Sequence, residues 1–271
     1  MTLSSIAFVG GGNMAGALIG GLLRSGWSAE AVAVVEPSAA QRETLASRFG
    51  VRTIAEADAT LGRADCVVWA VKPQLFKAAA APCAAHVGRA LQLSVMAGIR
   101  SDAIALATGS DRVVRAMPNT PALIGEGMSG LFARASVSAE ERAQVEKLLA
   151  PTGQTLWVDC EEQLDAVTAM SGSGPAYVFY LLEAWIEAGT TMGLSATQSR
   201  QLAMATLAGA TSLARDSDET PAVLRERVTS KGGTTHAAIT SLEADGVRAA
   251  FVRALKAAEQ RAGELGDEFG R

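Results

Sequence analysis

Gly10-Gly11-Gly12-Asn13-Met14-Ala15 directly follows a short apolar run, Ile6–Val9, and directly precedes an alanine- and leucine-rich stretch. A glycine turn set between a strand and a helix suits a dinucleotide. Gly10 permits the tight turn, Gly12 lets the backbone approach a pyrophosphate, and Ala15 allows the helix to pack closely on the strand. The unpaired N–H groups at the start of such a helix supply donors and a favourable dipole to phosphate. Glu36 ends a second β-branched run, roughly 20 residues beyond the turn, where a carboxylate accepts hydrogen bonds from both ribose hydroxyls of NAD and repels the 2′-phosphate of NADP. Pro37 and Ser38 follow it, and Ser38 and Arg42 lie close enough in sequence to offset that repulsion. The pattern therefore admits NADPH or NADH and leans to NADH.

Three further strand ends converge on the same crevice. Ala70-Val71-Lys72-Pro73 closes one run and stops it with proline, Ser94-Val95-Met96-Ala97-Gly98 closes another, and Met117-Pro118-Asn119-Thr120-Pro121 a third. Lys72 is either a cofactor contact or an ordinary solvated lysine, and the Asn119 amide either bonds a carboxamide or orders its loop. Later, Ser171-Gly172-Ser173-Gly174-Pro175 and Thr229-Ser230-Lys231-Gly232-Gly233-Thr234-Thr235 each read as small hydroxyl and glycine residues opening a helix. Such turns bind anions, a carboxylate included, or simply cap the helix. The second run, with two glycines and four hydroxyls, is richer than a cap requires. His86 and His236 read as surface residues. Two histidines and three widely spaced cysteines (Cys66, Cys83, Cys160) argue against a metal site, a disulfide framework and a hydrolase triad.

The elements that must position these residues change in kind along the chain. Up to about residue 160, β-branched runs (6–9, 32–36, 66–71, 91–97, 113–117, 155–158) alternate with helical patterns such as 14–25, 39–49 and 139–149. That alternation predicts βαβ units and a mostly parallel, doubly wound sheet. Beyond it the pattern predicts helices over 164–170, 175–192, 196–215, 221–229, 235–243 and 246–265, with Pro175 and Pro221 in first turns. Small residues recur over 202–213, which predicts a helix buried all round, and so small a helical half is expected to complete its core against another subunit.

Across 271 residues, 49% hydrophobic and 19% charged side chains argue against disorder, and a net charge of -4 argues against a nucleic-acid partner. No cationic leader precedes the first apolar run, and the apolar stretch 175–189 carries Glu183 and Glu187 and is too short for a bilayer span. The expectation is a cytoplasmic protein without membrane segments.

In this order, and over essentially the whole chain, the motifs resemble the pyrroline-5-carboxylate reductase family. The resemblance is carried by the glycine turn, Ala70–Pro73, Met117–Pro121, Asp165-Ala166-Val167-Thr168, the run from Ser171 through Ala176 and Tyr177, and the run Thr229–Thr235. It implies an α/β Rossmann domain binding NAD(P), residues 1–160, and an all-α dimerisation and substrate domain, residues 161–271. The active site would form where subunits meet, with dimers often assembling into rings of five. The reaction implied is hydride transfer from NAD(P)H, commonly NADPH in the family, to the C=N carbon of 1-pyrroline-5-carboxylate, giving L-proline in the last step of proline synthesis. Carried over by position, the resemblance puts cofactor on Val9–Ala15, Glu36–Ser38, Ala70–Pro73 and Val95–Ala97, with Asn119 beside them. It puts the substrate carboxylate on Ser230, Gly232, Gly233 and Thr234, and faces the Thr235 hydroxyl, the catalytic candidate, to the ring nitrogen. Three positions depart from the pattern: Lys231 replaces a frequent proline, Arg227 stands where asparagine is also found and would strengthen carboxylate binding if it points inward, and Ala57 lies near a polar adenine contact of some members. The rival readings are a reductase of another cyclic imine or of a hydroxy acid, and a dinucleotide-binding module without catalysis.

Overall fold

A computed structural model describes residues 3–269. The first half forms one sheet of eight strands: β1 (Ile6–Val9), β2 (Val32–Val35), β3 (Arg52–Ile54), β4 (Cys66–Trp69), β5 (Leu91–Ser94), β6 (Val113–Met117), β7 (Gly127–Ala133) and β8 (Gly153–Trp157). Their order is β3-β2-β1-β4-β5-β6-β7-β8, parallel throughout except between β6 and β7. Every residue of β1, β4 and β5 is buried, as strands covered on both faces require. Alternate side chains feed two cores. Ile6 and Phe8 join Leu18, Ile19 and Leu22 of helix α1 (Asn13–Arg24), Leu45 of α2 (Ala39–Phe49) and Leu148 of α5 (Ala139–Leu149). On the other face Ala7 and Val9 join Phe76 and Cys83 of α3 (Phe76–Val87) and Ile104 of α4 (Ser101–Thr108). Chain order reverses between β1 and β4, so their carboxyl ends make the switch point where ligands bind in such sheets.

From Gln163 onward the chain is helical: α6 (Gln163–Val167), a π-helical turn (Thr168–Gly172), α7 (Gly174–Thr191), α8 (Ala196–Arg215), α9 (Pro221–Arg227), α10 (Thr234–Ala244) and α11 (Val247–Phe269). Two compact units result, residues 1–174 with 258–271 and residues 175–257, so α11 begins in the second and ends in the first. The expectation of an α8 buried all round does not hold within the chain. Only Ser199 and Ala203 are buried on it, and Leu202 and Leu213 are 56% and 62% exposed. Phe179 and Tyr180 of α7 are 59% and 75% exposed. The reason is that this unit is a set of helices whose apolar residues exceed what its own core encloses. Among the described residues, no helix is long and apolar enough to cross a membrane.

Candidate active site

Gly10 leaves β1 with φ 96°, a left-handed conformation, and donates its N–H to the Val35 carbonyl at 2.9 Å. A Cβ there would lie 2.7 Å from the Ala70 oxygen, and one on Gly11 would lie 2.5 Å from Leu45 Cδ1. At Gly12 a Cβ would meet nothing within 4 Å. Gly12 is exposed, extended, and the N-cap of α1, with no side chain capping the helix. The first N–H groups of α1 therefore have no capping side chain, and the space beside Gly12 is open enough to suit a pyrophosphate. Ala15 is buried on the strand, Met14 is half-buried and Asn13 exposed. Glu36 ties the turn to the end of β2: one carboxylate oxygen accepts from Gly11 N–H and the other from Ser38 N–H, both at 2.9 Å. Arg42 Nη1 donates to the carbonyls of Glu36 and Pro37, each at 2.8 Å, and so braces this turn from behind. The glycine cradle, the uncapped helix and the fixed carboxylate fit a dinucleotide.

The neighbouring strand ends are laterally bonded to one another. Ala70 N–H donates to Val9 O at 2.9 Å and Val95 N–H to Trp69 O at 3.0 Å. Met96 is buried, while Val71, Pro73, Val95 and Ala97 are half-buried and Lys72 is exposed ahead of the short turn Pro73–Leu75. Asn119 ties its loop together: its Oδ1 accepts from Met128 N–H at 2.9 Å and its Nδ2 donates to Ser171 Oγ at 3.1 Å. The Ser171–Gly174 run joins two helical segments, Ser171 and Gly172 closing the π-turn and Gly174 beginning α7. The π-turn occupies the Ser173 N–H, which donates to Thr168 O at 2.8 Å.

Sequence reasoning missed a buried ionic cluster beside this segment. Arg115, 4% exposed, donates to Glu161 at 2.8 Å, and Ser101 gives the same carboxylate its N–H and its hydroxyl, both at 2.6 Å. Arg100 donates to Asp165 at 2.8 Å. Burial pulls Arg115 below the usual guanidinium range despite Glu161. Burial also opposes the charge on Arg100, but the hydrogen bond and charge of Asp165 outweigh it and hold that guanidinium above the usual range. Asp165, inside a family motif, was the only signal in the sequence.

In the second unit, Gly233 is the extended N-cap of α10, with no side chain capping the helix, and Gly232 precedes it at φ 76°. The hydroxyls of this run are thus not ordinary caps. Thr229 turns back to bond Arg225 O at 2.6 Å, while Ser230 and Thr234 are exposed and Thr235 half-buried around uncapped helical N–H groups. A Cβ on Gly233 would lie 2.6 Å from Ser230 Oγ, so only glycine lets that hydroxyl sit over the helix start. Arg227 is paired with Glu219 at 2.5 Å, so its guanidinium already has a carboxylate from its own unit. Lys231 and His236 are exposed.

Residues 161–265 match the family described as pyrroline-5-carboxylate reductase dimerisation, and residues 5–98 that described as NADP oxidoreductase coenzyme F420-dependent. A pyrroline-5-carboxylate reductase of Pseudomonas aeruginosa is 45% identical over 273 residues, covering 100% of both chains. Among solved structures, the pyrroline-5-carboxylate reductase of Coxiella burnetii superposes with a TM-score of 0.91 at 35% identity, covering 97% of this chain and 99% of that one. The Plasmodium falciparum pyrroline carboxylate reductase with NADP bound superposes with a TM-score of 0.87 at 26% identity, covering 98% and 99%. The chain belongs to the pyrroline-5-carboxylate reductase family and is an oxidoreductase using a nicotinamide dinucleotide.

Proposed function

We propose that this member of the family reduces 1-pyrroline-5-carboxylate to L-proline, the last step of proline synthesis. One observation carries the reading. Helices α1 in one unit and α10 in the other each start uncapped behind a glycine turn. The first suits a pyrophosphate, and the second, ringed with hydroxyls, suits a carboxylate.

The bound cofactor supplies the hydride. Residues 9–15 cradle its phosphates, Glu36–Ser38 take its ribose, and Ala70–Pro73 and Val95–Ala97 border it at the strand ends. NADH is preferred to NADPH, because the Glu36 carboxylate is held at the end of β2 by two N–H groups and Arg42 is engaged with backbone carbonyls. Ser230, Gly232, Gly233 and Thr234 hold the substrate carboxylate through hydroxyl and backbone N–H groups. A cyclic imine accepts hydride well only when its nitrogen is protonated. The Thr235 hydroxyl is far too weak an acid to supply that proton, so it orients the ring nitrogen or relays a proton from solvent. Residues 1–160 thus serve the cofactor and 161–271 the substrate and dimerisation, the exposed apolar faces of α7 and α8 meeting those of a second copy.

The test is the initial rate of NADH and NADPH oxidation with 1-pyrroline-5-carboxylate, against 1-pyrroline, which lacks the carboxylate. Turnover with the first and its loss with the second is the expected result. No oxidation of either cofactor by folded protein that still binds a dinucleotide overturns the reading in favour of another imine or a binding module. Light scattering reads the assembly, with a monomer excluded and dimer or ring of five dimers distinguished by mass.

A further inference from the structure

Arg100, Asp165 and the last turns of α11 form a cluster that the reading above leaves without a role. The Arg100 guanidinium donates to Asp165 Oδ2 at 2.8 Å and lies flat over Gly266, where a Cβ would stand 2.7 Å from Nη2, 2.8 Å from Nε and 2.9 Å from Cζ. At the residue just before it, the Leu265 carbonyl carbon and oxygen lie 3.3 Å from where a Cβ of Gly98 would be, and Gly98 has φ 72°. The helix end therefore touches both ends of the short segment 98–100. Glycine at both contacts is what permits so close an approach. That segment runs directly out of Val95–Ala97, the strand end read above as bordering the cofactor, whose inner anchors are Val95 N–H on Trp69 O at 3.0 Å and Met96 N–H on Ser94 Oγ at 3.3 Å. The side chains of Arg100 and Asp165 are only 23% and 16% exposed, so their pairing is more than a solvated surface contact.

We propose that Gly98, Arg100, Asp165 and Gly266 are positioning residues for the cofactor: the end of α11 clamps the turn after β5 and so fixes where Val95–Ala97 present themselves. The proposal rests on the cofactor reading of that turn. A methyl at 266 has no room unless the guanidinium shifts off the helix, which strains its bond to Asp165 and weakens the outer anchor of the turn.

The full-length variants Gly266→Ala and Asp165→Asn test this through NADH dissociation constants read from nucleotide fluorescence, with KM measured separately for NADH and for 1-pyrroline-5-carboxylate. The expected result is a rise of about three- to tenfold in both NADH constants, with KM for the imine moving less than about twofold. Adding Arg100→Lys to Gly266→Ala restores much of the NADH affinity, because a slimmer ammonium clears the methyl and keeps its charge on Asp165. A merely structural role lowers the melting temperature and the active fraction but leaves NADH affinity unchanged, and that result overturns the proposal. Should Gly266→Ala fail to fold, Asp165→Asn, which adds no atoms, carries the same test. Ala97→Val, on the turn itself, separates the two readings. Weaker NADH binding in Ala97→Val alone refutes the clamp and keeps the turn at the cofactor, whereas unchanged binding in Ala97→Val removes the turn from the cofactor site and the clamp with it.

Discussion

Glu36→Gln tests the charge on which the proposed preference for NADH rests. The carboxylate is held by Gly11 and Ser38 N–H groups, each at 2.9 Å, so it is not free to swing away from a second anion. A ribose held by these oxygens brings a 2′-phosphate to about 4 Å, where unit charges repel by about 1 kcal/mol in water and about 4 kcal/mol at the effective dielectric of a protein surface. Glu36 is half-buried, which places the value between those limits, and the Arg42 charge behind the turn returns part of it. A net cost of about 2 kcal/mol corresponds to about a thirtyfold preference for NADH. The assay is kcat/KM for both cofactors, in both proteins, at two salt concentrations. Glutamine keeps one acceptor oxygen for the two N–H groups, so both cofactors lose some affinity, and that loss cancels in the ratio. The NADH-to-NADPH ratio is expected to fall by about 10- to 100-fold in the variant, and the wild-type preference to shrink with added salt. A ratio unchanged within about twofold would show that the carboxylate does not face the 2′ position, and the argument for NADH would fail with it.

Other perturbations address the remaining parts. Thr235→Ala is expected to lower kcat by about 10- to 100-fold, about 1.4 to 2.8 kcal/mol, with NADH affinity kept; wild-type turnover would remove the hydroxyl from the mechanism. Burial pushes the Cys66 thiol up to about 12, with the Asp65 charge adding to it, and burial alone pushes Cys83 up to about 11. Exposed Cys160 is therefore the one thiol that iodoacetamide alkylates in native protein at mildly alkaline pH, and peptide mapping that finds Cys66 or Cys83 labelled first would contradict this burial. Glu141 closes the capping box of α5. Burial works against its charge, but the Ser138 N–H and Arg112 outweigh burial and hold its carboxyl below the usual range. A carboxyl depressed by folding stabilises above its unfolded pKa, and that contribution is lost as pH falls through the folded value. Glu141→Gln should thus lower the melting temperature near neutrality, with the gap closing below about pH 4; a gap constant down to acid pH would place the effect elsewhere.

The parallel core was legible because β1 and β4, buried on both faces, read as unbroken apolar runs, while β5 is buried but carries Gln92 and Ser94 between and after its leucines. Two strands escaped for identifiable reasons. β3 is three residues long and begins with exposed Arg52. β7 carries Gly127 and Gly130, which lower strand propensity but leave room for the Thr152 carbonyl and Val167 Cγ1, each 2.6 Å from where a Cβ would be. The helix α3, with Pro82 inside it, was not singled out either. At the site, the glycine turn was readable because its chemistry is written in consecutive residues. The partners of Asn119 and Arg100 were not, since they lie 52 and 65 residues away along the chain and only the fold brings them together.

The two glycine-and-hydroxyl runs of the second half show how far composition carries an inference. They are written in nearly the same residues, and sequence alone gives both the same anion-binding potential. What separates them is the chain just upstream. Asp165–Thr168 is already helical when it reaches Ser171, so the ladder runs on through the π-turn and Ser173 N–H finds the Thr168 carbonyl. Before Ser230, α9 has ended at Arg227, and Gly232 at φ 76° prevents the ladder from resuming at once. The helix must start afresh at Thr234, and a fresh start leaves N–H groups without partners. Free helical N–H groups therefore depend on where a helix is interrupted rather than on glycine and hydroxyl content. The positive φ of Gly232 is thus the feature that sets the run proposed to hold the carboxylate apart from the Ser171 run.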